Sequence, residues 1–322
     1  MINTITLKNL SQEQIADLLP DGLILLGYRG SIAHRMYVPS SNPDSIDDKD
    51  IMGVYVGPID HYLGFGRDEV KERFIGEWDA VSYEVRKFIR LLLNSNPNVL
   101  SLLWLPEKHL IYSHPLGLHL RSEKDIFVSK EAYHSFTGYA QGQFKRMTHF
   151  NREAQSEMDE YESILLEAGL NLDDICADQT LRDQIIVGGK YVNATIGEII
   201  QRYERLRKQY YSGGYMGTKR RELVRRFGYD SKNAAHLIRL LRMGVEFLQS
   251  GQLQVEREDA EELLSIKRGE WPLESVKAEA EKLFRVAEEA YSRSTLPESP
   301  DRNRVEKLCA EIIGSFHHLS LQ

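Results

Sequence analysis

The 322-residue chain has only two cysteines, Cys176 and Cys309, far apart and with no neighbouring thiol. That excludes a disulfide framework and a zinc ribbon, both of which need clustered cysteines. Isolated thiols in a chain of this size read as buried packing residues. Long apolar runs are also missing. No stretch approaches the roughly 20 residues that cross a bilayer, and the N-terminus lacks a basic segment followed by an apolar one. A cytoplasmic protein with no membrane partner is expected. Positive charge is in deficit, with 41 Lys and Arg against 48 Asp and Glu, a net charge of −7. No overall field draws such a chain to nucleic acid, so any such binding needs a local basic patch. Internal repeats and low-complexity tracts are absent.

Hydrophobic residues make up 42% of the chain and charged residues 28%, ordinary values for a globular protein. The length predicts two domains. Residues 23–26 form a short, fully apolar run between Asp21-Gly22 and Gly27, the pattern of a buried strand. The turn Gly27-Tyr28-Arg29-Gly30-Ser31 follows, then a short helix from Ile32 and a loop rich in Pro, Ser and Asn. Residues 51–56 predict a second strand and residues 77–83 a third. Val85, Phe88, Ile89, Leu92 and Leu93 then recur at helical spacing.

Past residue 125 the apolar period lengthens to three or four positions. Helices are predicted near 129–168, 195–211, 216–227, 232–250, 271–292 and 301–318. The expected fold class is α+β: a mixed-sheet α/β domain over residues 1–125 followed by an all-helical domain over 126–322. A cleft between two such domains is the natural place for a substrate.

Asp48 and Asp50 stand one residue apart at the start of the second strand. In extended chain, residues i and i+2 face the same side, so both carboxylates converge. Two like charges beside an apolar strand are costly unless a cation compensates them. Hard oxygen ligands select Mg²⁺ or Mn²⁺. Gly30-Ser31, at the strand-to-helix turn, offers backbone N–H groups, close approach and a hydroxyl to an anion, although an ordinary capped helix has the same composition. A phosphate cradle next to a carboxylate pair describes a site for a nucleoside triphosphate with its metal. Two-metal catalysis needs a third acid, for which Asp79 on the third strand is the best placed. Glu77 and Glu84 are its rivals.

These residues resemble the DNA polymerase beta-like nucleotidyltransferase superfamily. Gly30-Ser31-Ile32-Ala33-His34, Ser45 through Val54 with Asp48-Lys49-Asp50 at its centre, Tyr83 through Phe88 and Asn96 through Leu100 are similar to its branch associated with RNA repair. So is Gly228 through Leu241 in the helical half, so the likeness spans most of the chain. The resemblance implies an enzyme that moves a nucleoside monophosphate from an NTP, such as ATP, to a hydroxyl acceptor, an RNA or tRNA 3′ end, and releases pyrophosphate. Asp48, Asp50 and Asp79 then hold two Mg²⁺ (or Mn²⁺) ions and carry catalysis, while Gly30, Ser31 and His34 contact the nucleotide. One departure stands out: relatives place glycine where this chain has Arg35.

Lys232, His236 and Arg239 recur at i, i+4 and i+7 and share one helix face. They are either a solvated stripe or, as the resemblance favours, nucleotide-binding groups closing over a triphosphate. Lys219, Arg220, Arg221, Arg225 and Arg226 form the densest basic cluster, preceded by Tyr210, Tyr211 and Tyr215. Phosphate contacts beside aromatic rings suit single-stranded RNA, yet basic helices with tyrosine are common. The same chemistry also fits a protein hydroxyl, as in nucleotidylating antitoxins, or a small molecule such as an aminoglycoside. A non-catalytic nucleotide or RNA sensor is the remaining alternative, and it predicts a carboxylate that is misdirected or paired with an arginine.

Overall fold

The computed structural model describes residues 20–39, 49–64, 70–75, 78–148, 160–161, 163–167, 169, 200–203, 205, 223–224 and 226–318. It is an α+β structure, a five-stranded mixed sheet in the N-terminal part followed by helices, as the residue pattern predicts.

The sheet runs in the order β3-β4-β2-β1-β5. At its centre are β1 (Leu23–Tyr28) and β2 (Lys49–Tyr55), which are antiparallel, while β4 (Trp78–Glu84) lies parallel to β2. The near-continuous apolar stretches of β1 and β2 fit strands covered on both faces. The edges are β3 (Val70–Ile75), antiparallel to β4, and β5 (Leu110–Ser113), antiparallel to β1. Register assigns the faces. Asp50, Met52 and Val54 pair with Asp79, Val81 and Tyr83 on one side. Leu26, Tyr28, Ile51, Trp78 and Ala80 cluster on the other, with Ile32 packed against them.

Between β1 and β2 a single helical turn, α1 (Gly30–Ala33), follows the first strand. A short α2 (Ile59–Leu63) lies before β3. The helix α3 (Val85–Leu93) starts on Glu84, whose side chain accepts from the N–H groups of Arg86 and Lys87 and so caps the helix. It buries Val85, Phe88, Ile89 and Leu92, the stripe expected from their spacing. The next helix, α4 (Pro97–Leu103), is capped by Asn96 and has proline in its first turn, where the missing N–H costs nothing. Gly117 lets α5 (Pro115–Ser122) press onto β1, because a Cβ there would lie 2.0 Å from the carbonyl oxygen of Ile24.

The helical part begins with α6 (Glu131–Thr148). Helical residues recur at 160–161, 163–167 and 200–203. Then come α7 (Ser231–Ser250), α8 (Ala260–Lys267), α9 (Leu273–Arg293) and α10 (Arg302–Phe316). Buried residues surround most of α7, Leu237, Ile238, Leu240, Leu241, Phe247 and Leu248 among them, so it is a core helix rather than a surface one. Residue contacts divide the chain into two compact units, residues 1–142 with 235–322, and residues 143–234. The sheet and the C-terminal helices thus belong to one unit. None of the described helices is long and apolar enough to cross a membrane.

Sequence patterning did not anticipate β3, β5, α2, α4, α5 or α8. The alternation in Val-Lys-Glu-Arg-Phe-Ile of β3 is that of a charged edge strand, and none of its side chains from Val70 to Phe74 is buried, which leaves little hydrophobic period to read.

Arg35 occupies a backbone conformation that glycine suits better. It terminates α1 with φ at 60°, the left-handed region, as Arg35 N–H donates to the Ile32 carbonyl and Met36 N–H to that of Ser31. A side chain there is strained, and its ion pair with Glu256 is long, at 3.7 Å, and part-exposed. Arg35→Gly is expected to be more stable than Arg35→Ala by about 1 kcal/mol, since only glycine relieves the strain. Urea unfolding of the two variants measures this; equal stabilities would contradict it.

Candidate active site

The parallel pairing of β2 with β4 puts Asp50 and Asp79 directly opposite each other, at the beginning of each strand and on the same face. Both carboxylates are part-exposed, with side-chain accessibilities of 21% and 34%. The turn leaving β1 comes alongside, because Arg29 N–H donates to the carbonyl of Asp50 at 3.0 Å.

Gly30 fixes how close that turn can come. Its φ is 61°, and a Cβ at this position would lie 2.4 Å from Oδ2 of Asp50. Only glycine allows the backbone both that conformation and that contact. The hydroxyl of Ser31 is buried and has no hydrogen-bond partner among the described residues, a costly state for a donor that could serve a bound anion. Because α1 is one turn long, any anion here rests on individual N–H groups and this hydroxyl, not on a helix dipole.

Sequence reasoning overlooked Arg29. Its Nη2 lies 3.4 Å from Oδ1 of Asp50 and 3.2 Å from Oδ2 of Asp79, so one guanidinium nitrogen bridges the two acids. Both contacts are long and each uses a single nitrogen, unlike the close, two-pronged pairing that binds arginine to carboxylate most firmly. The nitrogen marks the point at which both carboxylates aim. Its place immediately before Gly30-Ser31 was the only signal available in the sequence.

The remaining candidates lie elsewhere. Glu84, the rival third acid, has the opposite strand parity from Asp79. Its fully buried carboxylate caps α3 and accepts from the hydroxyl of Tyr62 at 2.8 Å, so it is committed to structure. Burial and this acid together push the Tyr62 phenol well above its ordinary range. Glu77 and Asp48 fall outside the described residues, and among the described residues no group of three or more His, Cys, Asp or Glu forms a metal cluster. His34 is buried, and its Nδ1–H donates to the carbonyl of Val255 at 2.7 Å. It ties α1 to the C-terminal part of the chain.

On α7, Lys232 and His236 are half-buried, whereas Arg239 is buried. Desolvation first, and the like charge of Arg257 second, pull the Arg239 pKa down to about 9, with Asp259 opposing them. It stays protonated at neutral pH. Of the basic cluster, Lys219, Arg220, Arg221 and Arg225 lie outside the described residues, while Arg226 is exposed, its guanidinium 5.1 Å from the ring of Phe227.

With this geometry in place, residues 20–167, just under half of the chain, match the profile of the RlaP family, described as the RNA repair pathway DNA polymerase beta family. That is the branch the motifs resemble. The match takes in Gly30, Ser31, Asp48, Asp50 and Asp79 and ends before Lys232 and the basic cluster. It implies a nucleotidyltransferase of the polymerase beta type concerned with RNA repair. No curated protein matches the chain.

Gly30→Ala should lower stability by roughly 1–2 kcal/mol, from left-handed strain and from forcing the Asp50 carboxylate aside. Thermal unfolding tests this; an unchanged midpoint would show that the turn does not need glycine.

Proposed function

We propose that the chain is a Mg²⁺- or Mn²⁺-dependent nucleotidyltransferase that transfers a nucleoside monophosphate from an NTP to the 3′ hydroxyl of an RNA, tRNA included. One observation carries the reading: carboxylate oxygens of Asp50 and Asp79 lie within 3.4 Å of one nitrogen, beside a glycine turn that admits nothing larger. The donor set suits a hard divalent cation, being carboxylate oxygens that are part-exposed and convergent. Asp50 and Asp79 would hold it together with Asp48, two residues before Asp50 in the motif. When bound, such a cation neutralises phosphate charge and lowers the pKa of the attacking hydroxyl.

The residues of the chain then divide the work. Gly30 and Ser31 receive the terminal phosphates, with the orphaned hydroxyl of Ser31 donating to a phosphate oxygen. Asp79 orients the acceptor hydroxyl and takes its proton. The acceptor oxygen forms a bond to the α-phosphorus as the bond from that phosphorus to the bridging oxygen breaks, and the electron pair leaves with pyrophosphate. Positioning and charge neutralisation carry most of the rate. The motif similarity supports nucleotide contact by Lys232 and His236, and the density of basic residues supports RNA-backbone contact by Lys219 through Arg226, whereas Arg239, buried beside Arg257, is left to structure.

A second reading has support from Arg29. A guanidinium bridging both acids is what a non-catalytic nucleotide or RNA sensor would show. The length and part exposure of the contacts favour instead a counter-charge that yields to a divalent ion. Incubating the protein with α-labelled NTPs, RNA and Mg²⁺ decides between them. Asp50→Asn and Asp79→Asn should each lower transfer by roughly 10²–10³-fold or more without changing the unfolding midpoint by more than a few degrees. Transfer that survives both changes would reject the site. Arg29→Gln removes the competing charge and should tighten Mn²⁺ binding about tenfold in the absence of nucleotide, as the loss of a part-exposed contact worth about 1.4 kcal/mol implies. Calorimetry that detects no Mn²⁺ binding in either protein would favour the sensor.

A further inference from the structure

The edge strand β3 carries Phe74 in register with Asp79, and Asp79 is in register with Asp50. Paired residues share a face, so the ring, the two carboxylates and then the Gly30 turn beside Asp50 form one row across the sheet. Neighbouring strands are about 4.8 Å apart, which puts the Phe74 backbone about 5 Å from that of Asp79 and roughly 10 Å from that of Asp50. Yet Phe74 is 84% exposed, the most exposed of the large hydrophobic side chains described. A phenyl ring held on a hydrogen-bonded strand and left in water gains nothing for the fold.

We propose that Phe74 is a stacking platform for the terminal base of a single-stranded RNA acceptor. The inference rests on the nucleotidyltransferase reading of Asp50 and Asp79. Direction follows from the row itself. In an in-line displacement the attacking hydroxyl and the leaving pyrophosphate lie on opposite sides of the α-phosphorus. Gly30 and Ser31 occupy the pyrophosphate end, so the acceptor arrives from the Asp79 end, where Phe74 stands next in line. A planar base laid on the ring brings its own sugar hydroxyl back toward Asp79. The neighbouring charges agree with a base contact rather than a phosphate one. Glu72, the next residue of β3 on this face, repels phosphate, whereas Lys71 and Arg73 have the opposite strand parity. Lys71 places its ammonium 4.7 Å from the centre of the Tyr55 ring. Stacking tolerates any base, since each has a π-face, so Phe74 fixes position without selecting sequence.

Anisotropy of a 5′-fluorescein single-stranded RNA, compared with the same RNA lacking its 3′-terminal base, tests the contact in the full-length chain. Loss of the base should weaken binding by the wild type about tenfold. Phe74→Ala should bind both RNAs equally and as weakly as the wild type binds the base-lacking RNA, while Phe74→Trp should restore the difference. A structural defect would weaken both RNAs together, and the exposed position makes misfolding easy to exclude by circular dichroism. Equal affinity of the wild type for the two RNAs overturns the proposal, as does an undiminished preference in Phe74→Ala. So does a concentration-dependent dimer that Phe74→Ala dissolves without altering RNA affinity, which would assign the ring to self-association. The two readings fail separately. Nucleotide transfer that needs Asp50 but shows no dependence on the terminal base removes the platform alone, and a base preference without any transfer leaves the platform and removes the enzyme.

Discussion

The structure depends on a repulsion. Asp50 and Asp79 are forced side by side by the parallel register of β2 and β4, and neither can turn away without slipping a strand whose other face is packed. Two carboxylates so placed disfavour each other's charge, and a cation between them relieves the repulsion. Here the compensation comes from Arg29, supplied by the turn that also carries Gly30 and Ser31. A single segment of six residues therefore closes a buried strand, provides the counter-charge and opens the anion cradle. The whole candidate site is built from three adjacent strand ends.

The C-terminal part of the chain braces this segment. His34 bonds to the Val255 carbonyl, and the buried ammonium of Lys267 donates to the carbonyl of Met36. The residues around Val255 are themselves held by Arg257, which pairs with Glu246 and Asp259, while Arg242 joins Asp259 to Glu262 and Glu279. Buried and half-buried pairs of this kind contribute little net stability, but they fix geometry, because removing one partner strands the other. The hydrogen bonds at His34 and Met36, just past the C-terminal end of α1, thus hold the cradle from behind.

Much of this was legible in the sequence, and the reasons differ from residue to residue. The strands β1 and β2 announce themselves through apolar runs that end in glycine, β4 through its alternation, and α7, α9 and α10 through their period. Asp50 stood out at the head of an apolar run, with Asp48, its companion in the spacing argument, outside the described residues; Asp79, a single residue, emerged only because two-metal chemistry asks for a third acid on the next strand. Arg29 was invisible, since the pairing of an arginine with acids 21 and 50 positions away is set by tertiary structure. Edge strand β3 had no hydrophobic face to advertise it, and with it went Phe74. His34, which the motif groups with nucleotide contacts, has a bond to Val255 that no local pattern encodes. The helical stripe of Lys232, His236 and Arg239 likewise looked like one solvated or ligand-facing surface, yet α7 is surrounded by core, and Arg239 is buried beside Arg257.

The central claim is that the two acids are a cation site whose place Arg29 holds. Crystals of the protein soaked with Mn²⁺ and a non-hydrolysable NTP measure it most directly. An anomalous peak roughly 2.1–2.2 Å from oxygens of both Asp50 and Asp79, with the guanidinium of Arg29 displaced from between them, is the predicted result. Arg29 still bridging the two carboxylates at saturating Mn²⁺ and nucleotide, with no peak beside them, would contradict it.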